Sequence, residues 1–168
     1  MTTLIDATNT PWEMLDDCQE TLAAVAIKGT AVFPQVVRTT AKWQPEEAQL
    51  LGLAPIAVLR QAGTRQYDLP DDVYGGLLSV NLSVYARHES GVDQHEAMKE
   101  NLRLLSVAKN ALETDPPSDA VAMGGPDSEF HHALEWGEAE PQEDLEPPWT
   151  GFAIPLELSY RLATSTSH

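Results

Sequence analysis

Near the end of the chain, Phe152, Ile154, Leu156, Leu158, Tyr160 and Leu162 alternate with Ala153, Pro155, Glu157, Ser159 and Arg161. A period of two sends successive side chains to opposite faces, so this stretch predicts a half-buried β-strand. Pro155 interrupts it with a residue that cannot donate to a ladder, which predicts a sheet edge or a local distortion. The same alternation recurs at Leu78, Val80, Leu82 and Val84 against Ser79, Asn81, Ser83 and Tyr85. It recurs again at Phe130, His132, Leu134 and Trp136 against Glu129, His131, Ala133 and Glu135. A shorter β-like run, "APIAVLRQ", lies between Pro55 and Gly63.

Two stretches repeat with helical spacing instead. In "TPWE", Thr10 suits a cap, Pro11 the first helical position and Glu13 the third helical position that completes a capping box. With Trp12, Leu15, Leu22, Val25 and Ala26 as a loose apolar face and Gly29 as a stop, a helix is expected over 11–28. A second capping box, Asp93 to Glu96, precedes Met98, Leu102, Leu105, Ala108 and Leu112, which fall on one face. Pro116 and Pro117 end that helix. "AVFPQVVRTT" reads as extended and "PEEAQLLG" as a short helical turn, while Pro70 to Gly76 carries turn residues. Strands adjacent in sequence usually pair antiparallel. The expected fold is therefore α+β: a two-layer, mainly antiparallel sheet of about four strands with two amphipathic helices on one face. Residues 1–168 are expected to form one domain, with an unassigned insert at 30–54 and an acidic, proline-rich loop at 138–148.

Composition narrows the function. With 42% hydrophobic and 21% charged residues the chain is expected to be globular and soluble, with neither a secretory signal nor a membrane-spanning run. The formal net charge is −16. Twelve acidic residues and no Lys or Arg occur between Asn110 and Tyr160. Such a surface argues against affinity for nucleic acid or an anionic membrane.

Candidate chemistry is sparse. One cysteine, Cys18, excludes an internal disulfide, and its neighbours Asp16, Asp17 and Glu20 would raise the thiol pKa rather than activate it. His131 and His132 point to opposite faces of a strand. His88 and His95 near Glu89, Asp93 and Glu96 suggest either a metal or acid–base site or a solvated helix start, and the second fits better. "YGG" and "MGGP" match no phosphate-binding loop, and no serine sits in a nucleophile elbow. No enzymatic activity, cofactor or metal is expected.

The order of elements resembles the tail terminator and tail-completion proteins of long-tailed bacteriophages. The likeness rests on the capped first helix, on "PIAVLRQ", on the unit "LLSVNLSVYARH…HEAMKENLRLLSVAKNALETDP" and on the closing "EFHHALEWGEAEP…GFAIPLELSYRLA", with its "LSY" end at Leu158 to Tyr160. The resemblance implies a structural virion protein, assembled in the host cytoplasm. It would form a ring, expected to be a homohexamer, that caps the tail tube, joins it to neck or head-completion proteins and lets DNA pass without specific binding. Candidate subunit or partner contacts are Pro155, Glu157 and Arg161, together with Glu138, Glu140, Glu143, Asp144 and Glu146 in the acidic loop. Other connector parts (a stopper, a neck protein or a tail tube subunit) share the ring logic. A small acidic cytosolic enzyme or ligand-binding domain is the alternative from a different class, and a deep pocket with convergent polar groups would favour it.

Overall fold

A computed structural model describes residues 4–41, 55–69, 73–87, 93–118, 120, 133–143, 145 and 149–161. Helix α1 is Leu4–Ala24 and helix α2 is Gln94–Thr114. The strands are β1 (Ala26–Ile27), β2 (Thr30–Ala31), β3 (Gln35–Thr39), β4 (Ile56–Leu69), β5 (Val73–Arg87), β6 (Leu134–Trp136), β7 (Glu140–Pro141) and β8 (Trp149–Arg161). The fold is α+β, and its main sheet has six strands among the described residues, not four. The order is β3-β4-β5-β8-β6, with β7 also paired to β8. All ladders are antiparallel except β3 with β4.

The closing strand is central. β8 pairs along its length with β5, from Gly75 opposite Arg161 to Arg87 opposite Trp149, and on its other side with β6 and β7. The edge expected for Pro155 is therefore corrected, and the expected distortion is present instead. Gly137 N donates to Pro155 O at 2.8 Å, so the backbone of Pro155 faces the outer strands and not β5. The register of the outer strands slips by one residue between that contact and the Glu140–Ala153 pair. The missing N–H thus costs the return bond of the Gly137–Pro155 pair, at the point where the bulge ends the regular ladder.

Alternation along the strands divides the residues between two faces. Leu78, Val80, Leu82 and Val84 of β5 join Phe152, Ile154, Leu156, Leu158 and Tyr160 of β8 and Ala57 and Leu59 of β4 in one buried cluster. Met14, Leu15, Cys18 and Leu22 of α1 and Leu104, Leu105, Ala108 and Leu112 of α2 belong to the same cluster. On the other face Ile56, Val58, Tyr85 and Trp149 form a smaller one. Tyr160 requires a glycine across the ladder: a Cβ at Gly76 would stand 2.2 Å from its Cζ. Gly75 and Gly76, expected in a turn, therefore lie inside β5.

Several boundaries differ from expectation. α1 starts at Leu4 and contains Pro11 as an interior residue, where proline costs one helix hydrogen bond and crowds the carbonyl four residues before it. It stops at Ala24, not at residue 28. Lys28 and Gly29 both have positive φ, 52° and 80°, and make the two-residue turn of the β1–β2 hairpin. Gly63 does not end β4 but sits at a register shift within it, at φ 154°. "AVFPQVVRTT" is extended, as β2 and β3, whereas "PEEAQLLG" lies outside the described residues, as do Phe130, His131 and His132.

Asp93 caps α2 as expected, but its side chain accepts from His95 N at 3.1 Å and not from the Glu96 amide that a capping box would use. The buried arc of the helix is also shifted. Leu105, Ala108 and Leu112 are inside, but Met98 is 40% and Leu102 46% exposed. Ala97, Asn101 and Leu104 take the inward places, and the buried Asn101 Nδ2 donates to Thr150 Oγ1 on β8. A small and an amide side chain let the first turns approach the strand, which rolls Met98 and Leu102 to the flank. The stretch expected to be an acidic loop also carries a strand, since Gln142 N donates to Gly151 O at 2.8 Å beside the β7–β8 pairs. Pro141 fits there because it lies opposite Phe152, between the hydrogen-bonding positions.

Candidate functional site

The sheet face turned away from the buried helix contacts is concave. β3 and β4 contribute Thr39, Val58 and Arg60, and β5 contributes Asn81, Ser83 and Tyr85. The outer segment contributes Glu138, Glu140 and Gln142, and β8 contributes Ala153 and Pro155. The volume is about 380 Å³, and the hollow is open on one side. These positions follow from the pleat. Residues 81, 83 and 85 of β5 alternate with the core positions 80, 82 and 84, and residues 153 and 155 of β8 alternate with 152, 154 and 156. The bulge beside Pro155 then directs Glu138 and Glu140 to this face while Ala139 packs toward the core.

Val58, Ala153 and Pro155 make an apolar floor. Arg60, Glu138 and Glu140 are exposed around it. Gln142 Nε2 donates to Ser83 Oγ at 3.5 Å and ties the outer segment to β5. A mixed wall of one guanidinium, two carboxylates, amides and hydroxyls over small apolar residues suits the recognition of a charged, partly apolar group.

Of the contact residues expected from sequence, Pro155, Glu138 and Glu140 come together here. Glu157 lies half-buried on the same face, opposite Ser79 and Glu135. Glu143 is exposed beyond β7, and Arg161 ends β8 opposite Gly75. Asp144 and Glu146 lie outside the described residues. Thr39, Arg60, Asn81, Ser83, Tyr85 and Gln142 were not singled out. The alternating polar positions of β5 were the available signal, but alternation does not say which strands flank them.

Cys18 is buried, and its thiol is pushed up to about 12, first by burial and then by the Asp17 carboxylate, against a lowering by Arg38. That matches the expectation of an inactive thiol. Arg38 instead serves the α1–β3 junction, where it pairs with Asp16 and lies 4.2 Å over the Trp12 ring. Gln19 Nε2 donates to Val36 O at 3.1 Å beside it. Among the described residues no group of three or more His, Cys, Asp or Glu is placed to hold a metal ion, and no helix is long and apolar enough to cross a membrane. No model of a known protein family matches the chain, and no curated protein matches it.

Proposed function

We propose that the protein is a ring-forming structural component of a phage tail, a terminator that caps the tail tube and connects it to neck or head-completion proteins. The observation that carries this reading is the strand–helix unit of the resemblance with the strands that follow it. β5 and α2 are followed by β6, β7 and β8, with β5 and β8 paired over thirteen positions at the middle of the sheet and α2 packed against both. In this reading the helices and the sheet make a two-layer subunit whose second sheet face is left for assembly. A free edge at Pro155 plays no part, because β8 is paired on both sides.

A net charge of −16 supports a DNA path that does not retain DNA, since a chain with ten basic against 26 acidic residues releases few counterions from DNA on contact. The role is mechanical and not catalytic, and the site of action is the tail or neck of the virion. Native mass spectrometry of purified tails tests it: a fixed ring stoichiometry, expected to be six, at one end of the tube supports the terminator. One or two copies per particle would end that reading, and long stacks by electron microscopy would indicate a tube subunit.

The concavity favours a second reading, a small ligand-binding domain. Its mixed polar lining and open volume of about 380 Å³ are compatible with a small charged ligand. Saturable binding of a small metabolite by the purified chain, lost on Arg60→Ala, would favour it.

A further inference from the structure

The exposed flank of α2 and the concavity lie on opposite sides of the sheet, and their chemistry is complementary. Met98 and Leu102 are four residues apart on α2, so they stack into one apolar strip, and both are large side chains left 40% and 46% exposed. Lys99 and Arg103, also four apart and exposed, form a basic strip beside them. These two are a concentrated positive feature in a chain with ten basic and 26 acidic residues. The third cation of the helix, Lys109, is engaged 5.6 Å over the Trp136 ring. Across the sheet, the concavity offers an apolar floor of Val58, Ala153 and Pro155 with Glu138 and Glu140 exposed at its side.

We propose that the Met98–Leu102 flank of α2 in one copy of the chain seats in the sheet-face concavity of a second copy, with Lys99 and Arg103 against Glu138 and Glu140. The apolar strip meets the floor, and the two basic side chains meet the two carboxylates. Arg60, the cation of the lining, lies on the β4 side, and the exposed Glu96 one turn before Lys99 supplies it an opposite charge. The occupant is another copy of the chain because each copy carries both halves of the contact.

The arrangement has a geometric consequence. In a two-fold pair each copy would have to present the same patch, whereas here helix flank and concavity lie on opposite sheet faces. One contact therefore leaves a free flank at one end and a free concavity at the other. Contacts of this kind propagate head to tail, and they close into a ring where the rotation between neighbours divides a full turn evenly. The inference rests on the ring reading and names the surfaces that would build it.

Carbodiimide cross-linking of the full chain, with unlabelled and ¹⁵N-labelled copies mixed, tests the contact. The expected products are intermolecular Lys99–Glu138 or Lys99–Glu140 links in peptides that combine both isotopes. Lys99→Glu with Arg103→Glu should raise the concentration for half-assembly about tenfold or more, as should Glu138→Lys with Glu140→Lys. The fourfold variant, with both charges exchanged, should recover much of the loss. All four side-chain changes are at exposed positions, so thermal midpoints should stay near that of the unmodified chain. Rings that form equally well in every variant, without these cross-links, would overturn this contact and leave the ring standing. A chain that stays monomeric at all concentrations and on purified tail tubes would overturn both, and a closed two-fold dimer would overturn the head-to-tail geometry.

Discussion

Gly137 N donates to the carbonyl of Pro155 at 2.8 Å, and the proline ring occupies the space where a side chain on residue 137 would begin. A Cβ there would stand 2.9 Å from Pro155 Cγ, 3.1 Å from Cβ and 3.2 Å from Cδ. The pair explains how a central strand carries a proline: the outer chain approaches closely as glycine, makes one bond and then bulges away. Gly137→Ala is expected to cost about 1–2 kcal/mol through this overlap. Pro155→Ala removes the ring, so the double variant should be clearly more stable than the sum of the single changes implies. Urea denaturation of the four chains measures it, and additivity would mean that the ring is not the obstacle.

How much of this was legible in the sequence depends on what a one-dimensional pattern can encode. Alternation in β5 and β8 identified which side chains face the helices, and Leu78 through Val84 and Phe152 through Tyr160 are buried as that pattern requires. The same pattern is silent on neighbours. Pro155 looked like an edge residue because the direction of its absent N–H depends on which strand lies on each side of β8. In α2 the apolar repeat included Met98 and Leu102 but passed over the polar Asn101, whose amide is fully buried against Thr150. The concavity was invisible for the same reason as the sheet order: its walls come from strands between 39 and 155 in sequence. The acidic residues that line it stand out by charge, but charge and proline content do not reveal that their segment pairs with β8.

The shifted arc of α2 separates two leucines that periodicity alone treats alike. Leu158 is fully buried beneath the helices, and Leu158→Ala should cost about 2–5 kcal/mol. Leu102→Ala, at a 46% exposed position, should stay within about 0.5 kcal/mol. Ser159 lies on the sheet face opposite Leu158, as alternation requires, but it is fully buried there, and its Oγ has no hydrogen-bond partner among the described residues. Removing an unpaired buried hydroxyl takes away a desolvation penalty, so Ser159→Ala should be neutral or slightly stabilising. Thermal denaturation of the three variants compares them. A loss at Leu102 as large as that at Leu158 would contradict the orientation of α2.

Cys18 gives the fold a pH limit on the alkaline side. Its folded thiol is raised from 9.0 to about 12, so the native state holds the proton more tightly than the unfolded chain. The stability that this contributes is complete below pH 9.0 and is lost as pH rises toward about 12. Tyr160, whose hydroxyl is also raised by burial, acts in the same direction. Unfolding free energy should therefore decline through that window, and Cys18→Ala should decline less steeply than the unmodified chain. Thiol labelling should likewise be slow until the protein is unfolded. Parallel pH profiles for the two chains would show that Cys18 does not contribute.

The acidic outer segment separates a role in stability from a role in assembly. Glu138, Glu140 and Glu143 are exposed, and the segment is held by the backbone bonds of Gly137 and Gln142 and by the Gln142–Ser83 contact rather than by its carboxylates. Exposed charges in such a position contribute little to folding. Replacing all three with Gln should therefore leave the thermal midpoint and the circular dichroism spectrum unchanged. The unmodified chain should not bind duplex DNA at physiological salt, because at a net charge of −16 a pair of basic side chains such as Lys99 and Arg103 releases too few counterions from the DNA. The neutralised chain has a formal charge less negative by three, still far from basic, and should not bind either. If the carboxylates act at a contact between subunits or along a DNA path, phage carrying the three changes should join heads to tails or deliver DNA less efficiently with its subunits fully folded. Normal infectivity from that phage would reduce the acids to a solvating surface, and tight DNA binding by the unmodified protein would rule out a lumen built to let DNA slide.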